Sequence, residues 1–283
     1  MNNNYNNKFT DIIRYNSRDG NHNKKSRSIK RSNKDREYDT HIVLVKTQND
    51  IMNFIKICNG RWEELKKNDV YACIDFEFNM NWKLKERYIS LMQIMFVGND
   101  YDLNYKTVYV LNPLKFKTKF REKLIDYVFC SNMIKILHGS DSLDIPHIYR
   151  SLFRSNKDRL IKFINYTIDT RFICELIKNI DRRLGKDVDN RCSIYNALFY
   201  NDVIDQTIYD RLEKISSKIN YNKNWFVDKL TVNQLEYSIN DVLYLFDLLQ
   251  SMVSKFSGGE IEIISLVSRT YRFRMLNDIH LIC

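Results

Sequence analysis

Asp75 and Glu77 stand two apart in an apolar stretch, ACIDFEF, residues 72–78. In a strand, a spacing of two sends both carboxylates out of one face. Two like charges side by side against a core are costly unless a positive partner joins them. Carboxylates aimed together from a strand suit a hard divalent cation. The plainer reading is a half-buried strand with two solvated acids. A second acidic cluster, HGSDSLDIPHI at 138–148, follows a short apolar strand and opens a helix, where Asp141 or Asp144 can place a carboxylate or simply cap the helix. A third, YSIND, puts Tyr237 and Asp241 at i, i+4, one turn apart on one helical face. Such a phenol can orient a water at a carboxylate-bound cation, or the two can form a surface hydrogen-bonded pair.

The elements that must position these residues follow from periodicity. His41–Lys46 reads as a strand. Asp50 is expected to cap a helix to about Lys67, with Ile51, Phe54, Ile55, Cys58 and Trp62 on one face. Val70–Phe78, Tyr88–Val97 and Thr107–Leu111 read as strands, with a polar turn at 98–106. A helix at about 118–131, a strand at 134–138 and a helix from Asp144 come next. A short strand ends near Asp169, and helices are expected at about 170–182, 192–200, 206–219 and, longest, 231–254. Strands first and helices later predict an α/β fold, a mixed sheet flanked by helices with a helical second half.

Composition bounds the rest. With 283 residues and 44% hydrophobic content, the chain can bury a core without staples. No apolar run reaches the roughly 18 residues of a membrane span, and the Asn-rich start is no signal peptide. The six cysteines show no CxxC pair and read as reduced thiols, so an intracellular location is expected. The Asn, Lys, Ile and Tyr bias is that of an AT-rich genome. Net charge is +10, and residues 1–40 hold ten Lys/Arg against five Asp/Glu, or +5. Residues 1–40 therefore read as a disordered basic arm. The ordered domain is expected at 41–254, and 255–283 as an extension of no assigned role. The positive balance suits nucleic acid as partner. Lys83, Lys85 and Arg87, after the first acidic strand, are candidates for binding it.

Taken in order, strand DxE, strand–Gly–Asp–helix and helical YxxxD, the series resembles the DEDDy branch of the DEDD 3′–5′ exonuclease superfamily. The ribonuclease D and exosome-associated nuclease group is the nearest in look. Flanking segments share the resemblance: ISLMQIMFV at 89–97, IDT at 168–170, and WFVDKLTVNQLEYSINDVLYLFDLL at 225–249. It covers about residues 41–252.

The resemblance implies a ribonuclease H-like fold and a two-metal phosphodiester hydrolase releasing nucleoside 5′-monophosphates from a free 3′ end. Its metal ligands fall on Asp75, Glu77, Asp144 and Asp241, and its tyrosine on Tyr237. Asp144 is preferred at the second motif because Ile145 and Ile148, at +1 and +4, match the apolar positions that follow the family aspartate; Asp141 is the fallback. Asp75 would bridge two divalent cations, Mg²⁺ or Mn²⁺, roughly 3.5–4 Å apart. Glu77 and Asp241 would complete one cation site, Asp144 would serve the other, and Tyr237 would orient the attacking water. The second motif inclines the substrate to RNA over DNA. The alternative is a catalytically inactive module of the same fold that binds nucleic acid or protein.

Overall fold

The computed structural model describes residues 39–98, 105–220 and 224–255. Most of the expected arm, all but Lys255 of the extension, and the middle of the turn at 98–106 lie outside the described residues.

Six strands form one sheet in the order β1-β4-β3-β2-β5-β6. They are β1 (Asp39–Val45), β2 (Tyr71–Asn81), β3 (Glu86–Val97), β4 (Tyr105–Leu111), β5 (Ile134–Leu137) and β6 (Thr167–Asp169). β2 pairs antiparallel with β3, and β3 with β4; β1 runs parallel to β4, and β5 lies parallel to both β2 and β6. The central strands are nearly continuous in apolar character because helices cover both faces. This is the α/β mixed sheet flanked by helices that the sequence predicts.

One face carries Ala72, Ile74, Phe76, Met92 and Ile94. It packs under α1 (Gln48–Glu64), α2 (Thr118–Leu124), α3 (Asp144–His147) and α4 (Lys157–Asn165). The opposite face carries Cys73, Leu91 and Met95. It packs under α5 (Thr170–Arg183), α6 (Ile194–Tyr200), α7 (Gln206–Ser216), α8 (Val232–Leu243) and α9 (Leu245–Ser254). By the alternation of β2, Asp75 and Glu77 belong to this second face.

Several expectations change in detail. Thr47, not Asp50, caps α1; Asp50 is the reciprocal partner of a capping box, its carboxylate accepting from the Thr47 amide at 2.7 Å. α2 runs into a π-turn at Ile125–Phe129, and α3 into another at Ile148–Leu152. α4 falls in a stretch where no separate helix was expected. The single helix expected at 231–254 is two, α8 and α9, broken at Tyr244 (φ −107°, ψ −1°). There the buried Lys106 Nζ donates to the carbonyl of Leu243, the last residue of α8, at 2.9 Å. Cys174 and Cys192 form a disulfide, which corrects the reading of six free thiols; Cys58, Cys73 and Cys130 are free.

Candidate metal centre

β2 and β3 hold their register from Tyr71↔Val97 to Glu77↔Leu91, then slip to Phe78↔Ile89. Ser90 is the extra residue of this bulge, a device that re-aims side chains beside a site. Its hydroxyl donates to the Trp225 carbonyl and accepts from Asn79 Nδ2 at 2.8 Å, while the Trp225 amide donates to Asn79 Oδ1 at 2.6 Å. All three residues are buried. This knot ties the strand carrying Asp75 and Glu77 to the segment leading into α8, which carries Tyr237 and Asp241. α8 then starts on a capping box between Thr231 and Gln234. Trp225 is thus a packing anchor, its ring 6.1 Å from that of Tyr237.

The second motif is held by Asp169 at the end of β6. Its carboxylate accepts from the Gly139 amide (2.9 Å), the Ser140 amide (2.8 Å), the Ser140 hydroxyl (2.7 Å) and the Arg171 amide (3.0 Å). Gly139 sits at φ +70°, a conformation glycine adopts without steric cost. His138 is a structural residue: its ring nitrogens lie 2.9 Å from Thr170 Oγ1 and 2.9 Å from the Cys192 carbonyl oxygen, and burial pulls its pKa down. The turn delivers Asp144 as the first residue of α3, where it makes no capping bond. His147 is not free surface. Its ring lies 4.8 Å from that of Phe78, with Nδ1 2.7 Å from the Leu143 carbonyl oxygen and Nε2 3.0 Å from that of Arg87. It ties α3 to the start of β3.

Ligand oxygens of Asp75, Glu77 and Asp241 lie within 4.8 Å of one another. Glu77 and Asp144 are buried, Asp75 and Asp241 partly so. Among the described residues, no Lys or Arg forms an ion pair with any of the four. Burial pushes the Asp75 carboxyl up to about 7. Burial, then the charges of Asp75, Asp241 and Asp144, push Glu77 well above the carboxylate range. Asp144 rises through burial, then through Asp75, Asp169 and Asp141; Asp241 rises through burial and Asp75. Asp144 is among the charges that act on Glu77.

Two phenols pull Asp241 back toward its ionised form. Tyr237 hydrogen-bonds its carboxylate, and Tyr195 Oη donates to Oδ1 at 3.1 Å. Tyr195, buried on α6, was invisible to motif reading because it lies 46 residues from its partner. Lys83, Lys85 and Arg87 are exposed at and beside the tip of the β2–β3 hairpin, and none of them pairs with the carboxylates.

An all-oxygen, anionic donor set without internal cations fits a divalent metal ion by its chemistry. No family model matches the chain. Over 215 residues it is 31% identical to uncharacterized protein L533 of Acanthamoeba polyphaga mimivirus, a match spanning 72% of this chain and 40% of that protein. The chain therefore spans about 40% of the length of that curated relative. Among solved structures, it is similar to the Nibbler EXO domain of Aedes aegypti, with a TM-score of 0.53 and 14% identity over 81% of this chain and 95% of that one. Brucella melitensis NrnC with bound Mg²⁺ matches at a TM-score of 0.47 and 15% identity, over 86% and 94% of the two chains. The Nibbler likeness shows the fold alone, a ribonuclease H-like mixed sheet flanked by helices. Among the described residues, no helix is long and apolar enough to cross a membrane.

Proposed function

We propose that the chain is a metal-dependent 3′–5′ exonuclease, a phosphodiester hydrolase that shortens single-stranded or 3′-ended nucleic acid to nucleoside 5′-monophosphates, with RNA favoured over DNA. The observation that carries this reading is the convergence of Asp75, Glu77 and Asp241 within 4.8 Å, without a cation of the protein's own. Asp75, Glu77, Asp144 and Asp241 would hold two divalent cations, Mg²⁺ or Mn²⁺. When bound, such ions supply an acidified water and neutralise charge on the scissile phosphate. Asp75, the neighbour whose charge acts on the other three acids, takes the shared position. Tyr237 orients the attacking water from the hydroxyl it now lends to Asp241. Tyr195 keeps Asp241 in place while Tyr237 does so.

The cluster alone repels a polyanion. The β2–β3 hairpin supplies the opposite charge in Lys83, Lys85 and Arg87, beside Trp82, which is 70% exposed. In this reading the hairpin guides the strand, and the basic arm over 1–40 adds non-specific affinity; the ordered catalytic domain is 41–254.

The experiment uses the full chain with matched single-stranded RNA and DNA, each with the 3′ or the 5′ end blocked, in Mg²⁺, Mn²⁺ or chelator. Mononucleotide release that needs the metal and a free 3′ hydroxyl is expected. Retained binding with no hydrolysis in either metal would instead favour the inactive binding module.

A further inference from the structure

Asp75 and Gln93 are directly opposed across the antiparallel β2–β3 pair. Residues opposed in this way leave the same face with Cβ atoms about 4.5–5.5 Å apart, so the two side chains are neighbours. Gln93 lies between Leu91 and Met95, both in the core beneath α8 and α9. It is fully buried, at 0% exposure, and neither Oε1 nor Nε2 has a hydrogen-bond partner. It is the one side chain among the described residues with two such atoms. A buried amide with no partner loses its hydration for nothing, and an apolar residue of equal length would serve the core better. Met92 and Met95 on the same strand are residues of that kind.

What lies beside the amide is an acid with no side-chain donor among the described residues. Asp75 receives a hydrogen bond from the backbone amide of Phe76. Asp241 has two phenols to steady it. Asp75 has no described side-chain donor, although its charge is felt by each of the other three acids. Carboxylates that hold metal ions are themselves held by outer partners, which set their rotation.

We propose that Gln93 is the positioning residue for Asp75: with the site loaded, the Gln93 amide donates to its carboxylate and fixes the rotation in which it faces the metal. The proposal rests on the metal-dependent reading above. It explains why a primary amide is kept at the centre of an apolar strand, opposite the first acid of the cluster.

The test compares the full chain with Gln93→Met and Gln93→Leu, and with Asp75→Asn as control. Mn²⁺ affinity is read by calorimetry and by the resonance spectrum of the bound ion. Metal-free melting and the kcat and KM for a 3′-hydroxyl oligonucleotide are read alongside. Gln93→Met should melt no lower than the parent, bind Mn²⁺ about tenfold to a hundredfold more weakly, and lose kcat with KM unchanged. Mn²⁺ affinity and kcat within twofold of the parent in a folded variant would overturn the proposal and leave the metal reading standing. So would a fall in melting temperature alone, or failure of both variants to fold, since either marks a purely structural role. A parent that binds no Mn²⁺, or an Asp75→Asn variant that binds it equally well, would overturn the metal reading and the proposal together.

Discussion

Lys106 of β4 meets Asp247 of α9 on the side of the sheet that also carries Asp75 and Glu77, yet the two regions handle buried charge in opposite ways. Lys106 is fully buried. Its Nζ lies 2.5 Å from Asp247 Oδ2 and 2.9 Å from the Leu243 carbonyl oxygen, so charge meets charge and a helix end gains a donor. Lys178 repeats the pattern with Asp189 at 2.6 Å. Asp75, Glu77, Asp144 and Asp241 bring only negative charge, and their pKa values all rise. A paired buried charge is complete within the fold. The like-signed cluster has no such partner among the described residues.

The largest effects should separate the two regions cleanly. Asp241→Asn is expected to abolish hydrolysis, because a neutral amide cannot offset a cation's charge. Metal-free melting should stay the same or rise, since one repelling charge is gone. Lys106→Met should do the reverse: a loss of about 3–5 kcal/mol in stability, with Asp247 left without its buried partner, and undiminished activity per folded molecule. Urea melts and single-turnover rates on both variants check this. A destabilised Asp241→Asn with full activity would invert the comparison.

The pH dependence of the metal-free protein sharpens it further. The folded acids bind protons more tightly than the unfolded chain, whose values lie near 3.8 and 4.5. Their contribution to stability is therefore complete below about 4 and is lost as pH rises, for Asp75 through about 7. Lys135, buried and pulled down to about 7, works the other way above that point, and buried His138 opposes the trend below its ordinary value. The cluster is isolated by the difference between melts with and without Mn²⁺. Stabilisation by Mn²⁺ should grow steadily from pH 5 to pH 8 in the parent and much less in Asp75→Asn. A pH-independent difference would mean that the acids are not what the ion meets.

Much of this was legible beforehand because it is local. Period two places Asp75 and Glu77 on one face, and period 3.6 places Tyr237 over Asp241; both are properties of a few consecutive residues. The sheet and its covering helices follow from the same patterns. The break at Tyr244 was not legible, because it coincides with Lys106, 137 residues before the carbonyl it binds. Nor were the grip of Asp169 on the Gly139–Ser140 turn, the knot of Asn79, Ser90 and Trp225, the Tyr195 hydrogen bond or the disulfide. Each is a pairing between distant segments that leaves no periodic trace. Asp50 was misassigned for a local reason: in a capping box both members are good caps, and only the backbone geometry of Thr47 tells them apart.

The two phenols on Asp241 offer an intermediate effect. Tyr237→Phe removes the hydroxyl assigned to the water and should cost about ten- to a thousandfold in rate. Tyr195→Phe removes a donor that acts through Asp241 and should cost about tenfold. The order matters more than the values: a larger loss in Tyr195→Phe would assign the water-orienting role to the wrong tyrosine.

The smallest expected effect decides the second motif. Asp141 and Asp144 both follow His138 on the turn that Asp169 holds, and both carry negative charge toward the cluster. Asp144 is buried, feels Asp75, and acts on Glu77; Asp141 is less buried and acts on Asp144. One Asp141 oxygen is buried without a partner, so an amide there loses no hydrogen bond at that atom. Asp141→Asn should accordingly change the rate by less than about threefold, a difference of ~0.6 kcal/mol, and relieve part of the repulsion on Asp144. Asp144→Asn should lose activity as completely as Asp241→Asn. Rates of both variants at saturating Mn²⁺, each with its melting curve, make the measurement. If Asp141→Asn is the silent one, the four acids act as assigned. If Asp144→Asn is silent and Asp141→Asn is dead, the ligand lies one turn earlier in the chain, and α3 serves only to bury its neighbour.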